Sequence, residues 1–306
     1  MAIVLGPNQY GKAEVRVVAV DRSSPRHELV DLNVSTSLRG DFTAAHTRGD
    51  NAHVLTTDTQ KNTVFAFARD GVGSPEAFGL RLARHLAGSY DWITGARVAV
   101  ESYGWERIAV GGQPHDHAFR RPGGEVRTAV VTVDGDDVHV LAGLSDLVVL
   151  KTTGSEFWGF PRDRYTTLAE TRDRVLATAV TARWRYTPAD GALDGRDWSG
   201  LYAGVRTVLL EAFAATHSLA LQQTLYRMGE AVLESSPDVA EVRLSMPNRH
   251  HFLQDLSAYG LDNTPGSDHP VVYHADDRPY GLIEGTVLRD DVPPAEVAWL
   301  GTPGFC

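Results

Sequence analysis

The chain has 306 residues, of which 42% are apolar, and this length fits one large or two medium domains, of which we favour two. Its formal net charge of -10, from 39 acidic and 29 basic side chains, argues against a nucleic acid or an anionic membrane as the main partner. A small-molecule ligand is therefore the better expectation.

Cysteine usage and the chain ends give expectations about location. The single cysteine, Cys306, allows no disulfide within the chain and no cysteine-rich metal site. The N-terminal sequence lacks a basic start followed by an apolar run, and no stretch approaches the roughly 20 apolar residues of a membrane span. The C-terminal GTPGFC is neither a peroxisomal signal nor a prenylation motif. We expect a cytoplasmic protein that does not bind membranes.

The first half of the chain reads as strand, strand, helix, helix, strand, strand. Val15 and Val17 alternate with polar neighbours, which predicts a strand with one solvent-facing side. Thr57 or Asp58 is expected to cap a helix, and Ser74 precedes a proline and an acidic first turn, as at a helix start. The first of these helices is expected to bury Val64, Phe65 and Phe67. The predicted strands are 11–21, 27–38, 97–108 and 126–140, and the second helix is expected to end near residue 89.

The second half repeats this order of elements without repeating the sequence. Leu221, Leu225, Met228 and Val232 recur at helical spacing and predict one buried stripe. The predicted strands are 139–151, 173–186, 239–246 and 281–288, and the predicted helices are 200–215 and 218–235.

The repeated order predicts an α+β fold of two tandem units, residues 1–136 and 137–306. Each unit would be an antiparallel sheet with a pair of helices on one face. The other face and the sheet edges would stay uncovered in a monomer, and long sheet edges are normally paired or protected. We therefore expect an obligate oligomer.

The segment from Phe157 to Arg174 carries the strongest signal for a ligand. Phe157 and Trp158 form an aromatic pair, and an aromatic face can stack on a flat ring. The guanidinium of Arg174 can bind the edge of such a ring through two parallel hydrogen bonds. This combination predicts a planar, anion-like ligand.

Other candidates have a structural alternative that position alone leaves open. Lys12 fits a solvated lysine at the start of a strand, and Thr57 with Asp58 fits a helix cap. Capping and binding are compatible, because a helix N-terminus presents free N–H groups to an anion. Asn248 and His250 follow a strand, at a point where sites tend to form.

The sequence gives little support for a metal or an organic cofactor. His115 and His117 have no third ligand at suitable spacing, so a polar loop is the better interpretation. Gly71 and Gly73 lie between two predicted helices, so they do not form a dinucleotide-binding loop. We expect no metal and no cofactor.

Six segments together resemble the urate oxidase (uricase) family, and they occur in the family's order along nearly the whole chain. They are YGK at 10–12, TDTQKNT at 57–63, FWGFPRDRYTTL at 157–168, LQQTLY at 221–226, MPNRHHF at 246–252 and the stretch 267–287. The resemblance implies the tunnelling fold (T-fold), in which tandem units of four chains assemble so that their sheets close into barrels around a tunnel.

The resemblance also implies cofactor-free oxidation of urate by O2 and water to 5-hydroxyisourate and hydrogen peroxide, in a homotetramer with active sites at subunit interfaces. The implied catalytic residues are Lys12, Thr57 and His250. The implied urate-binding residues are Thr57, Asp58, Phe157, Arg174, Leu221, Gln222 and Asn248. The alternative is a non-catalytic T-fold assembly that binds a purine or a pterin, and the pterin enzymes of this fold typically use zinc.

Overall fold

The computed structural model describes residues 1–187 and 193–302, so Cys306 lies outside the described residues. Its strands are β1 (Tyr10–Asp21), β2 (Glu28–Gly40), β3 (Ile93–Tyr103), β4 (Glu106–Val110), β5 (Gln113–Arg120), β6 (Val126–Asp134), β7 (Asp137–Lys151), β8 (Leu176–Tyr186), β9 (Val239–Pro247), β10 (His250–Leu253), β11 (Tyr273–Asp276) and β12 (Leu282–Leu288). Its α-helices are α1 (Thr43–Arg48), α2 (Thr57–Arg69), α3 (Pro75–Ala87), α4 (Trp198–Ala215), α5 (Leu221–Ser235) and α6 (Glu296–Trp299), and Ser257–Tyr259 form a 3₁₀ turn.

Eight strands form one antiparallel sheet in the order β1-β2-β3-β6-β7-β8-β9-β12. Each half of the chain contributes four neighbouring strands, and the two sets are joined because β6 pairs with β7. The predicted unit boundary at residue 136 falls in the two-residue loop of this hairpin, where Gly135 has a φ of 58°. The antiparallel α+β fold is confirmed, whereas the division into two units and the closure of barrels stay predictions.

The helix pairs pack on one face of this sheet. Val100, Ala129, Ala142, Trp184 and Val242 lie opposite one another across five neighbouring strands, so their side chains point to the same side. Val100, Ala142, Trp184 and Val242 belong to one core that also takes in α2, α3, α4 and α5. The predicted arrangement of helices on one face is confirmed.

The other face of the sheet is partly covered by the C-terminal segment. Trp299 and Ala298 of α6 pack on Val130 and Leu141, near the middle of the sheet. The indole of Trp299 donates to Oε2 of Glu241 at 3.1 Å. This segment therefore fills part of the face that the helices leave uncovered.

The caps, buried faces and boundaries of the helices differ in part from the sequence predictions. The side chain of Thr56, not that of Thr57 or Asp58, caps α2 by accepting from the amide of Thr59. Phe65 is exposed, whereas Val64 is buried as predicted and Phe67 packs at the margin of the core. Helix α5 begins at Leu221, three residues later than predicted.

Two predicted strands are each divided in the structure. The segment 97–108 contains most of β3 and the start of β4, and the segment 126–140 contains β6, a tight turn and the start of β7. The loop predicted around His115 and His117 is instead strand β5, the second strand of an exposed hairpin. Gly111 and Gly112 form its turn with φ values of 60° and 79°, which glycine adopts without strain.

Candidate active site

Lys12 and Thr57 lie on neighbouring elements of the first half, where β1 and α2 begin. Lys12 is half-buried and pairs with Thr36 of β2, and its amide donates to Oγ1 of Thr36 at 3.3 Å. Thr36 faces α2, because its hydroxyl donates to Oε1 of Gln60 at 2.7 Å. Directly opposed residues of a strand pair share a face, so the Lys12 side chain lies on the same face as α2.

Two backbone features hold Lys12 in this position. A Cβ at Gly11 would lie 1.8 Å from the carbonyl oxygen of Thr36, so only glycine lets β1 approach β2 this closely. The strand register then shifts between Lys12 and Val15, where Glu14 adopts a φ of 57°. Such a bulge re-aims the side chains on either side of it.

The carboxylate of Asp58 is engaged by two neighbouring side chains of α2. Its side chain is 69% exposed and accepts hydrogen bonds from Lys61 at 2.5 Å and from Asn62 at 2.9 Å. The hydrogen bond from Lys61 lowers the pKa of the Asp58 carboxyl, with a smaller contribution from the charge of Lys12. We call Lys12, Thr57 and Asp58 the Lys12 cluster.

Phe157 and Arg174 lie next to each other in the second half of the chain. The sequence predicts this pairing for a site that binds a flat, anion-like ligand. Phe157 exchanges two backbone hydrogen bonds of 2.9 Å with Thr171, which folds the segment back on itself. The guanidinium carbon of Arg174 lies 5.1 Å from the centre of the Phe157 ring, and Phe160 stacks near that ring at the same centroid distance. An aromatic face and a guanidinium fork are thus side by side.

Ser155 anchors Arg174. The Nε–H of Arg174 donates to Oγ of Ser155 at 3.2 Å, and the Arg174 amide donates to the Ser155 carbonyl oxygen at 2.9 Å. Burial lowers the pKa of the Arg174 guanidinium, yet an arginine keeps its charge at neutral pH. Ser155 uses neither Nη1 nor Nη2, and these are the atoms with which an arginine grips a carboxylate-like edge.

The start of α5 lies beside this anchor, because Ser155 forms a parallel bridge with Ser218. Leu221 is the first residue of α5 and is buried, whereas Gln222 is exposed. The residue that precedes the helix, Ala220, has no side chain that can accept from the first amides. An N-terminus without a side-chain cap offers its N–H groups to a ligand.

Asn248 and His250 lie beside the start of β8, which begins two residues after Arg174. Asn248 bridges to Thr178 of β8, and its amide donates to the Gly281 carbonyl oxygen at 2.8 Å. His250 is half-buried at the start of β10, and its ring stacks on Phe252 with centroids 5.5 Å apart. We call the residues gathered here the Arg174 cluster: Phe157, Arg174, Leu221, Gln222, Asn248 and His250.

The two clusters lie far apart within one chain. From β1, which carries Lys12, to β8, beside which Arg174 lies, the sheet order runs through five strand-to-strand steps. At about 4.8 Å per step, the separation along the sheet is roughly 24 Å. One chain therefore brings three of the predicted residues together at one place and six at another.

The sequence reasoning missed several polar residues that support both clusters. Ser155 and Ser218 are fully buried, as is Gln60 of α2. Glu156 accepts hydrogen bonds of 2.7 Å from the Trp158 indole and from His217, which ties the Phe157 segment to the turn before α5. Each of these residues lies inside one of the motifs quoted from the sequence or within four residues before one.

His115 and His117 lie side by side on strand β5. Their ring centres lie 4.5 Å apart on the exposed hairpin. Among residues 1–187 and 193–302, no group of three or more His, Cys, Asp or Glu side chains is placed to hold a metal ion. The same residues include no helix that is long and apolar enough to cross a membrane.

Comparison with known proteins gives one consistent answer. The family model for uricase matches residues 8–132 and 140–284. The uricase of Arthrobacter globiformis is 55% identical over 304 residues, which cover 99% of this chain and 96% of that protein. The uricase of Aspergillus flavus is 36% identical over 293 residues, covering 93% and 96% respectively. The crystal structure of the Arthrobacter globiformis uricase superposes with a TM-score of 0.89 and covers 98% of this chain and 99% of that one. The chain belongs to the uricase family.

Proposed function

We propose that this protein oxidises urate with O2 and water to 5-hydroxyisourate and hydrogen peroxide. The observation that carries the proposal is the similarity to uricases along almost the entire length of the chain. The reaction balances without another reactant, because urate loses two electrons that reduce O2 to peroxide while water supplies the added hydroxyl group.

The Arg174 cluster would hold the flat ring of urate. Phe157 stacks on the ring and limits its tilt, while the Arg174 fork and the Gln222 amide bind opposite edges in the ring plane. The backbone amide of Leu221 adds a donor from the open N-terminus of α5. These contacts define one orientation, and such positioning can lower a barrier by several kcal/mol.

Lys12 and Thr57 would move protons, and Asn248 and His250 would manage oxygen and water. Removing a further proton from urate makes it a better electron donor, so a base must reach the ring edge. We assign this role to Lys12, with Thr57 as the relay and the Asp58 backbone as a further contact to urate. Asn248 binds O2 and then water above the ring, and His250 transfers protons there.

We further propose that each active site combines the Lys12 cluster of one chain with the Arg174 cluster of another. The roughly 24 Å separation within one chain supports this arrangement. So do β1 and β12, which each lack a partner strand on one side among the described residues. The assembly would be a homotetramer of tandem units, residues 1–136 and 137–306, whose sheets close into barrels. The use of one cysteine in the whole chain supports a cytoplasmic location.

The reaction is proposed to need no metal or organic cofactor, and one experiment tests this together with the activity. Protein dialysed against a chelator is assayed for loss of the ultraviolet absorbance of urate, for O2 uptake and for peroxide. Equimolar changes in all three, undiminished by the chelator, are the expected result. Activity that depends on an added metal or redox coenzyme would contradict the proposal.

The same assay addresses the alternative of a non-catalytic purine- or pterin-binding assembly. The similarity to uricases does not favour this alternative. A protein of that kind would bind urate or a pterin and leave the substrate absorbance unchanged.

A further inference from the structure

Four hydrogen bonds form a closed ring that joins the start of β1 to the start of α2. The Lys12 amide donates to Oγ1 of Thr36 at 3.3 Å, and the Thr36 hydroxyl donates to Oε1 of Gln60 at 2.7 Å. Nε2 of Gln60 donates to the Leu55 carbonyl oxygen at 3.3 Å, and the Tyr10 hydroxyl donates to that same oxygen at 3.0 Å. The backbone from Tyr10 to Lys12 closes the ring.

Burial fixes the directions of the hydrogen bonds in this ring. Thr36 is 2% exposed and Gln60 is 0% exposed, so their polar atoms depend on protein partners. The Gln60 amide cannot be reversed without facing a carbonyl oxygen with its own oxygen. Burial raises the pKa of Tyr10, which keeps its hydroxyl protonated as a donor.

The ring includes Lys12 and borders Thr57, the two residues that the proposed mechanism uses to take a proton from urate. Lys12 is a member of the ring. Thr57 lies between two other members, two residues after Leu55 and three before Gln60, in the first turn of α2. Any change in the ring therefore changes the distance between the Lys12 backbone and Thr57.

We propose that Thr36, Gln60 and Tyr10 are positioning residues that set turnover by holding Lys12 against Thr57. This inference rests on the proposed function, in which Lys12 and Thr57 carry the proton. None of the three positioning residues contacts urate in that scheme. Loss of the ring is therefore expected to lower kcat and to leave KM nearly unchanged.

The first test compares Thr36→Val, which removes the hydroxyl at constant shape, with Thr36→Ser, which keeps it. Thr36→Val is expected to lower kcat at least ~10-fold, because a displacement of about 1 Å can cost up to ~10²-fold, and to change KM less than ~3-fold. Thr36→Ser should restore most of the kcat. Tyr10→Phe is a milder second variant, and it is expected to lower kcat in the same direction.

A double-mutant cycle separates positioning from a general loss of stability. If Thr36 acts through Lys12, Thr36→Val should cost little further turnover in a protein that already carries Lys12→Met. Val64→Ala is the matched control, since Val64 is buried on α2 outside the ring. This control should lower the melting temperature and leave kcat within ~2-fold of the parental value.

Two outcomes would overturn the inference. One is Thr36→Val and Tyr10→Phe both retaining the parental kcat, whatever happens to their melting temperatures. The other is additivity, in which Thr36→Val lowers kcat by the same factor with and without Lys12. Failure of the proposed function looks different, because the parental protein itself would then not oxidise urate.

Discussion

Arg174 is the residue from which substrate binding can be tested most simply. Its hydrogen bond to Ser155 uses Nε and neither of the two terminal nitrogens, which the proposed site assigns to urate. Hydrogen bonds to charged groups contribute about 1.5–3 kcal/mol each, so Arg174→Ala should lower kcat/KM for urate at least ~10²-fold, mainly through KM.

The controls for this prediction come from the same segment. Arg174→Lys keeps the charge and loses the fork, so it should recover only part of the affinity. Arg164→Ala removes an exposed arginine from the segment and should leave KM unchanged. Equal KM values for the parental protein and Arg174→Ala would remove this residue from the binding site.

The hydrogen bonds of Glu156 predict how the stability of the fold around the Phe157 segment depends on pH. The hydrogen bond from His217, followed by that from Trp158, lowers the pKa of the Glu156 carboxyl below its ordinary value of 4.5. A lowered pKa stabilises the fold above pH 4.5, and this contribution disappears as the pH falls through the folded-state pKa. The difference in melting temperature between the parental protein and Glu156→Gln should therefore be largest above pH 4.5 and shrink below it.

A melting series from neutral to acidic pH measures this difference. Glu211→Gln, at an exposed position on α4, serves as the control and should show no such trend. If the Glu156→Gln difference grew as the pH fell, the ionised carboxylate would not be what ties this segment to the turn before α5.

At the scale of elements, the N-terminus of α5 has no side-chain cap, and its amides belong to the proposed urate site. Ala220→Asp would supply the missing cap, which typically adds about 1 kcal/mol of stability. The same carboxylate would occupy the first amides and repel anionic urate. We predict a higher melting temperature together with a higher KM, measured on one preparation.

A neutral cap separates the two effects. Ala220→Ser should stabilise the helix and raise KM less than Ala220→Asp, since it adds no charge. A variant Ala220→Asp with a higher melting temperature and the parental KM would show that the amides of α5 do not bind substrate.

Local patterns predicted the long strands and helices that bury one face, whereas the short helix α6 with its buried Trp299 was not predicted. The alternation at Val15 and Val17 and the Ser74 cap were confirmed by burial and by the bond that Ser74 accepts. The exposed hairpin β4–β5 was missed, because neither of its strands has a buried residue and no regular alternation of apolar and polar residues marks it. Likewise the true cap of α2, Thr56, precedes another threonine, and sequence alone does not rank the two.

The candidate site was predictable only in part, for a physical reason. Phe157 and Arg174 share one short segment, so their partnership can be read from the sequence. Thr36 and Gln60 are 24 residues apart, and their hydrogen bond exists only because β2 and α2 pack together. The sequence shows which residues are polar, but which of them form hydrogen bonds with each other depends on tertiary packing.

At the scale of the whole molecule, the sheet explains why one chain is not expected to work alone. It places the Lys12 cluster on an edge strand and the Arg174 cluster five steps away. If the proposed site combines both clusters, it requires two copies of the chain, and variants that disable different clusters should complement each other. Lys12→Met and Arg174→Ala are such a pair, since each substitution removes a residue from only one of the two clusters.

The most direct measurement is the urate oxidase activity, at urate concentrations below the parental KM, of mixed assemblies made from these two impaired variants by co-expression or by joint refolding. If sites are shared between chains, random mixing should restore about one quarter of the parental activity, because one site in four combines two intact clusters. Mixed assemblies no more active than either variant alone would contradict the account.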